Sequence, residues 1–149
     1  MKKYIGTKMI EATPMSRGEY NGYRGWRIPA DENPADEGYL VKHSDDHESW
    51  SPKKQFDEAY RECDNMTFGL AIEAMKKGMK VARKGWNGKK QYIELAKNIS
   101  YVNAGEEVVN CEHDAIGNKA IAFVGTSGVQ MGWLASQADM LAEDWCIVE

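Results

Sequence analysis

One helical pattern, bounded at both ends, most constrains how the second half of this chain folds. Apolar residues recur there with the 3.6-residue period of an α-helix, at Phe68, Ala71, Ile72 and Met75. Thr67 precedes the pattern as a helix N-cap, and Gly78 follows it as a stop signal. A helix this short is stable only when its apolar stripe packs on another element, so the flanking residues must supply that surface.

The segments after this helix have the lengths and turn residues of short antiparallel strands. Strands are predicted at Met79–Lys84, Gln91–Ala96, Ala120–Val124, Val129–Trp133 and Trp145–Val148. Asn87-Gly88 and the stretch Gly125–Gly128 are predicted turns between neighbouring strands. Residues 97–118 are predicted to form a long excursion, and Ala135–Leu141 a short loop or helical turn. The fold class is therefore α+β, a small antiparallel sheet with one packed helix.

The pattern before this domain predicts a separate small α+β unit, which divides the chain into residues 1–64 and 65–149. Ser16 and Glu19 have the spacing of a capping box and predict a helix over Arg17–Arg24. Strands are predicted at Tyr4–Ile10, Gly38–His43 and His47–Trp50. Ser51-Pro52 is predicted to start a second helix, with an apolar face at Phe56, Ala59, Tyr60 and Cys63. These residues indicate no particular activity for the first unit.

Composition indicates a soluble protein of a reducing compartment. The 149 residues contain no apolar run of the ~18 residues that a membrane span needs, and the N-terminus lacks the apolar core of a secretion signal. The three cysteines are widely spaced and form no Cys-x-x-Cys pair, which favours buried free thiols over a zinc site. We therefore expect a cytoplasmic protein without a metal or cofactor.

The distribution of charge favours a small anionic partner. A net charge of −4 argues against binding to nucleic-acid polymers. Seven cationic residues nevertheless lie between Lys76 and Lys90 with no acidic residue among them. Such a local cluster can attract a small anion, although it is equally typical of a solvated helix or strand face.

Catalytic motifs are missing from the sequence. It contains no nucleophile elbow, zinc-protease helix, Walker loop or dinucleotide fingerprint. His43 and His47 flank acidic residues on a predicted hairpin, where a solvated turn is the ordinary explanation and a weak divalent-metal site the alternative. The turn Gly125–Gly128 could hold a phosphate, but a hairpin turn is the ordinary explanation of a lone glycine-rich turn. We expect a protein that is not an enzyme.

Two tryptophan-containing segments have the composition of a binding surface. In the first, Trp86 lies on a predicted turn beside Asn87 and the cations Arg83 and Lys84, and we expect it to be exposed. Tryptophan stacks on purines, and cations bind phosphates. The second segment, Gly132–Trp145, combines Trp133 and Trp145 with small and polar residues that could bind ribose hydroxyls. Trp145 is predicted to be a core residue.

Three stretches, Met66–Gly78, Val81–Gly88 and Trp133–Trp145, resemble a known domain of phages and prophages. They are similar to the second Thoeris anti-defence family over about residues 65–149. The resemblance implies a homotetramer, a dimer of dimers, with ligand pockets between subunits. It implies that the protein binds glycocyclic ADP-ribose signals made by the TIR-domain sensor of Thoeris without degrading them. Some relatives look able to hold cyclic di- or trinucleotides as well.

The same resemblance implies roles for individual positions. Trp86 would pack on the ligand, and Tyr92 or Ile93 on the next strand would complete an aromatic side. Asn87 and Gly88 would shape the turn beneath the ligand. The opposite wall would be formed by Ala135, Ser136, Gln137 and Asp139. Residues 1–64 have no counterpart in the compact members of the family.

Two other functional classes remain open from the residues alone. Asp139, Glu143 and Asp144 could supply carboxylates for a nucleotide hydrolase, although no partnered base accompanies them. Trp26, Trp50 and Trp86 could instead anchor a protein partner, as in an adaptor or inhibitor.

Overall fold

The computed structural model describes residues 1–86, 90–110 and 118–149. Within them the chain forms two compact units, Met1–Arg61 and Glu62–Glu149. None of the helices in the described ranges is long and apolar enough to cross a membrane.

The first unit is a three-stranded antiparallel sheet with two short helices. Its elements are β1 (Glu11–Pro14), α1 (Arg17–Arg24), β2 (Gly38–Lys42), β3 (Glu48–Pro52) and α2 (Lys53–Ala59). The strand order is β1-β2-β3. The predicted capping box of α1 is confirmed: the Ser16 hydroxyl accepts the Glu19 amide at 3.2 Å, and the Glu19 carboxylate accepts the Ser16 amide at 2.8 Å.

Two predictions for this unit are wrong. The first strand is β1, not Tyr4–Ile10, because pairing with β2 selects the four residues that lie opposite Tyr39 to Lys42. Strand β3 runs through Pro52, so the second helix begins one residue later than predicted and Ser51 does not cap it. Helix α2 also ends at Ala59, before Cys63.

The second unit contains a five-stranded antiparallel sheet in the order β10-β4-β5-β8-β9. Its elements are α3 (Phe68–Lys76), β4 (Lys80–Arg83), β5 (Tyr92–Ala96), β6 (Ser100–Val102), β7 (Val108–Asn110), β8 (Ala120–Gly125), β9 (Gly128–Met131), α4 (Gln137–Leu141) and β10 (Trp145–Val148). The predicted α+β class is confirmed. Strands β6 and β7 pair with each other inside the segment that was predicted to be an excursion.

Helix α3 packs on one face of this sheet. The Thr67 hydroxyl accepts the Leu70 amide at 3.3 Å, and Gly78 adopts a φ of 90° just after the helix. The cross-strand register places Val81 opposite Ile93, and both side chains are fully buried in the core under the helix. The core therefore lies between α3 and the face of the sheet that carries these two residues.

The two cysteines among the described residues are less buried than predicted. Cys63 is exposed, whereas Cys146 is partly buried and its Sγ lies 3.2 Å from the Ala82 carbonyl oxygen. Burial raises the pKa of the Cys146 thiol, so this group is less reactive than an exposed cysteine.

Candidate ligand-binding site

Three tryptophans from distant parts of the second unit meet beside α3. The Trp86 ring centroid lies 5.9 Å from that of Trp133 and 5.4 Å from that of Trp145, and Trp133 and Trp145 are 6.1 Å apart. All three pairs are edge-to-face, the arrangement that aromatic quadrupoles favour. Phe68 of α3 and Phe123 of β8 extend the group. We call these five residues the aromatic cluster.

The aromatic cluster has a buried side and an accessible side. Trp145 is fully buried, as predicted, and its indole Nε1 donates to the Asp139 carbonyl oxygen at 2.9 Å. Trp86 and Trp133 are half-buried, so parts of both indoles remain available to a ligand. A planar ring held rigidly in this way is a suitable surface for a nucleobase.

The prediction that Trp86 stands exposed on its turn is wrong. Its amide donates to the Arg83 carbonyl oxygen at 3.1 Å, and the ring packs against the core. The physical reason is tertiary: residues of β8 and β10 place apolar rings where this indole can bury part of its area. Asn87 and Gly88 of the same predicted turn lie outside the described residues.

The residues predicted to form the opposite, polar wall of the ligand site lie at the start of helix α4. Ser136 is the N-cap of α4, and its hydroxyl accepts the Asp139 amide at 3.1 Å. Asp139 Oδ2 in turn accepts the Ser136 amide and hydroxyl, each at 2.9 Å. The Ser136-x-x-Asp139 spacing is a capping-box signal in the sequence, and it predicts these bonds better than ribose contacts do.

Arg83 lies against two carboxylates. Its Nη1 is 3.0 Å from Asp139 Oδ1, and its Nε is 3.0 Å from Asp144 Oδ1. Burial raises the pKa of Asp139, but hydrogen bonds from Ser136 and the Arg83 guanidinium outweigh burial and leave that pKa below its usual range. Asp139 is therefore a charged partner of Arg83 at neutral pH.

The neighbouring cation is placed differently. Lys84 is exposed, and its Nζ donates to the neutral side chain of Asn65 at 2.6 Å. A neutral amide leaves the positive charge of Lys84 uncompensated at that contact, in contrast to Arg83. Lys84 is thus the better placed of the two cations to bind an anionic group.

The remaining predicted site residues are distributed around the sheet. Ala135 is half-buried and Gln137 is exposed, both beside the start of α4. Ile93 is fully buried in the core and cannot contact a ligand. Alternate side chains of a strand point to opposite faces, so half-buried Tyr92 lies on the other face of the sheet, where Lys80 Nζ is 4.8 Å from its ring centroid.

The histidines of the first unit are occupied by other contacts. His43 bonds Lys8 through Nδ1 and Ser49 through Nε2, each at 3.0 Å. Its ring stacks on that of His47 with centroids 5.4 Å apart. Across residues 1–86, 90–110 and 118–149, no group of three or more His, Cys, Asp or Glu side chains is arranged to hold a metal ion.

The fold and this cluster define a small α+β domain with a tryptophan-lined surface. Residues 66–148 match the model of a family described as the Thoeris anti-defense 2-like domain. The chain belongs to that family. The Thoeris anti-defense 2 protein of Bacillus phage SP01 is 39% identical to this chain over 88 residues, which cover 56% of this chain and 94% of the relative. Residues 1–65 lie outside the range that the family model matches.

Proposed function

We propose that this chain is a phage anti-defence protein that counters Thoeris by binding a nucleotide signal and holding it without degrading it. The carrying observation is the pair of half-buried indoles, Trp86 and Trp133, fixed 5.9 Å apart within the family-matched unit. The family membership and the SP01 relative support a role against Thoeris. The proposed signal is glycocyclic ADP-ribose, with cyclic di- and trinucleotides as further ligands, and the proposed place of action is the cytoplasm of the host cell.

The side chains suggest a division of roles within this site. Trp86 and Trp133 would pack on a base, and Lys84 would bind the pyrophosphate. Exposed Gln137 and the backbone at Ala135 would bind the polar edges of the sugar. Arg83, Ser136 and Asp139 would act behind this surface, since their polar atoms already bond one another.

A site on one chain would be too open for tight capture. A Kd of about 10 nM corresponds to about −11 kcal/mol. Two stacking contacts supply roughly 2–6 kcal/mol, and a charge-assisted bond supplies roughly 1.5–3 kcal/mol. Loss of ligand freedom offsets at least about 4 kcal/mol of that sum. Additional contacts from a second copy of the chain would close this difference.

Exposed apolar side chains beside the site support such a second copy. Leu134, two residues before the N-cap of α4, is 89% exposed, and Met140 and Leu141, the last two residues of α4, are 44% and 77% exposed. Exposed apolar residues grouped in this way commonly mark protein interfaces. We propose a homotetramer, a dimer of dimers, in which Tyr92 of another copy completes the pocket.

The ion pairs argue against a nucleotide hydrolase. A general base works best with a pKa near the working pH, whereas contacts with Ser136 and Arg83 leave the pKa of Asp139 below its usual range despite the opposing effect of burial. Asp144 is also held by the Arg83 guanidinium. These two carboxylates are better suited to fixing structure than to moving protons, which supports a protein without catalytic activity.

Calorimetric titration with glycocyclic ADP-ribose tests the proposal directly. Saturable binding is expected, and heat release followed by chromatography should return the ligand unchanged. Conversion of the ligand would show a hydrolase. Absence of binding to this ligand and to cyclic dinucleotides, together with capture of a specific protein, would favour the adaptor class.

Variants locate the proposed site. Lys84→Gln should weaken binding about tenfold, because it removes one charge-assisted contact of roughly 1.5 kcal/mol. Lys54→Gln is the matched control, since it removes an exposed lysine outside the family-matched range and should bind as the wild type does. Leu134→Ser should lower both the oligomer mass by light scattering and the affinity. Equal behaviour of Leu134→Ser and the control Ile28→Ser would contradict the proposed interface.

A further inference from the structure

Arg83 connects the two tryptophan segments of the proposed site. It ends β4, directly opposite Trp145 in the cross-strand register, and its carbonyl oxygen accepts the Trp86 amide. Its guanidinium reaches Asp139 in α4 and Asp144 just before β10. Arg83 thus contacts the segment that carries Trp86 through its backbone carbonyl, and it contacts α4 and the residue before β10 through its guanidinium.

Asp139 links Arg83 to the start of α4, because it bonds both Arg83 and Ser136. Its Oδ1 faces Arg83, while its Oδ2 accepts both the amide and the hydroxyl of Ser136. Its carbonyl oxygen accepts the indole Nε1 of buried Trp145. The backbone around Ser136 is therefore fixed to the core through Asp139, and Asp139 is fixed to the sheet through Arg83.

We infer that Arg83 is a positioning residue that holds residues 133–144 in the ligand-binding conformation before the ligand arrives. The inference deepens the proposed function and rests on it. Two carboxylates already balance the guanidinium, so its charge is not the feature that a ligand would use. We call residues 133–144 the wall. If the wall adopts the ligand-binding conformation for only a tenth of the time, the apparent affinity falls about tenfold, because affinity scales with the fraction of the protein in that conformation.

The geometry separates this role from that of a phosphate ligand. Nε and Nη1 each bond a different carboxylate, and the single ammonium of lysine cannot reproduce that fork. Arg83→Lys therefore keeps the positive charge and removes the fixed geometry. A phosphate-binding cation would tolerate this change in large part, whereas a positioning residue would not.

The test combines exchange and binding measurements on the full chain. In ligand-free Arg83→Lys, hydrogen exchange at the Ser136 and Asp139 amides should accelerate about tenfold, while amides of β5 and β8 keep wild-type rates. The affinity for glycocyclic ADP-ribose should fall about tenfold. Its dependence on salt should match the wild type, because no ligand-facing charge is lost, whereas Lys84→Gln should flatten it.

Three outcomes would overturn the inference. If hydrogen exchange at α4 were as slow in Arg83→Lys as in the wild type, the conformation of the wall would not depend on the two bonds of the Arg83 guanidinium. Wild-type affinity in a variant with faster exchange would show that the wall's position is irrelevant to binding. Retained affinity in Arg83→Lys combined with a flattened salt dependence in Arg83→Gln would make Arg83 a ligand cation.

Asp144→Asn keeps the contact of Arg83 with Asp139 and provides a milder variant if Arg83→Lys folds poorly. It should accelerate α4 exchange and weaken binding in the same direction by a smaller factor. No change in either measurement would also count against the inference. If wild-type protein fails to bind glycocyclic ADP-ribose, the proposed ligand fails, while the exchange measurement still decides whether Arg83 fixes the wall.

Discussion

Replacement of Trp86 by alanine should weaken the fold of the second unit as well as the proposed site. The indole makes edge-to-face contacts with Phe123, Trp133 and Trp145, with centroids 5.7, 5.9 and 5.4 Å away. Truncation of a fully buried tryptophan costs roughly 3–5 kcal/mol, and Trp86 is half-buried. Three aromatic pairs at roughly 0.5–1.5 kcal/mol each lead to a similar total. We expect a loss of roughly 2–3 kcal/mol in the free energy of unfolding.

Hydrogen exchange measures this loss in the second unit without depending on tryptophan fluorescence. The most protected amides of β5 and β8 exchange through opening of the whole unit, so a loss of roughly 2–3 kcal/mol should accelerate them roughly 30- to 150-fold. Trp86→Phe retains an aromatic ring and should show less than half of this effect on a free-energy scale.

The matched control for Trp86→Ala is Trp26→Ala, the same substitution made in the first unit. Trp26 is 57% exposed and its ring contacts Tyr20 at 5.9 Å. Exchange in β5 and β8 should be unchanged in this variant. If Trp86→Ala left the exchange of β5 and β8 within threefold of the wild type, the packing of Trp86 in the aromatic cluster would contribute little and the reasoning would be refuted.

Three further perturbations test other parts of the structure. Ser136→Ala removes the N-cap of α4 and should cost about 1 kcal/mol, seen as faster exchange confined to α4. Gly38→Ala would place a Cβ 2.4 Å from the Trp50 ring, so it should destabilise the first unit by roughly 1–3 kcal/mol in urea unfolding. Because the folded-state pKa of Asp139 lies below the unfolded value of about 3.9, its stabilising contribution is complete above that pH and disappears as pH falls through the folded value. The difference in unfolding free energy between wild type and Asp139→Asn should therefore shrink below about pH 4, and a constant difference would contradict the assigned ion pair.

Local chemistry explains which parts of the fold could be predicted. The capping box at Ser16 and the helix bounded by Thr67 and Gly78 were predictable because caps and stops involve residues close in sequence. The first strand was misplaced because strand pairing is decided by a partner more than twenty residues away. The start of α2 was shifted because β3 retains Pro52 through its pairing with Gly38.

The site divides along the same line. Motifs in the sequence indicate its tryptophans, its cations and its family membership. The Ser136-x-x-Asp139 spacing is a capping signal, and the prediction that these two residues bind a ligand overlooks it. The roles of Phe68 and Phe123 in the aromatic cluster carry no such signal, because each is an ordinary apolar residue of its own helix or strand.

The sequence by itself determined the α+β class, the bounds of α1 and β10 and the burial of Trp145, since these depend on period, caps and local hydrophobicity. Tertiary structure alone decided that Trp86 folds back onto the core and that Arg83 meets its two carboxylates. Those carboxylates lie 56 and 61 residues along the chain from Arg83. Contacts over such separations depend on the register of β4 against β10. That register is set by side-chain packing across the whole sheet, so no single sequence motif predicts it.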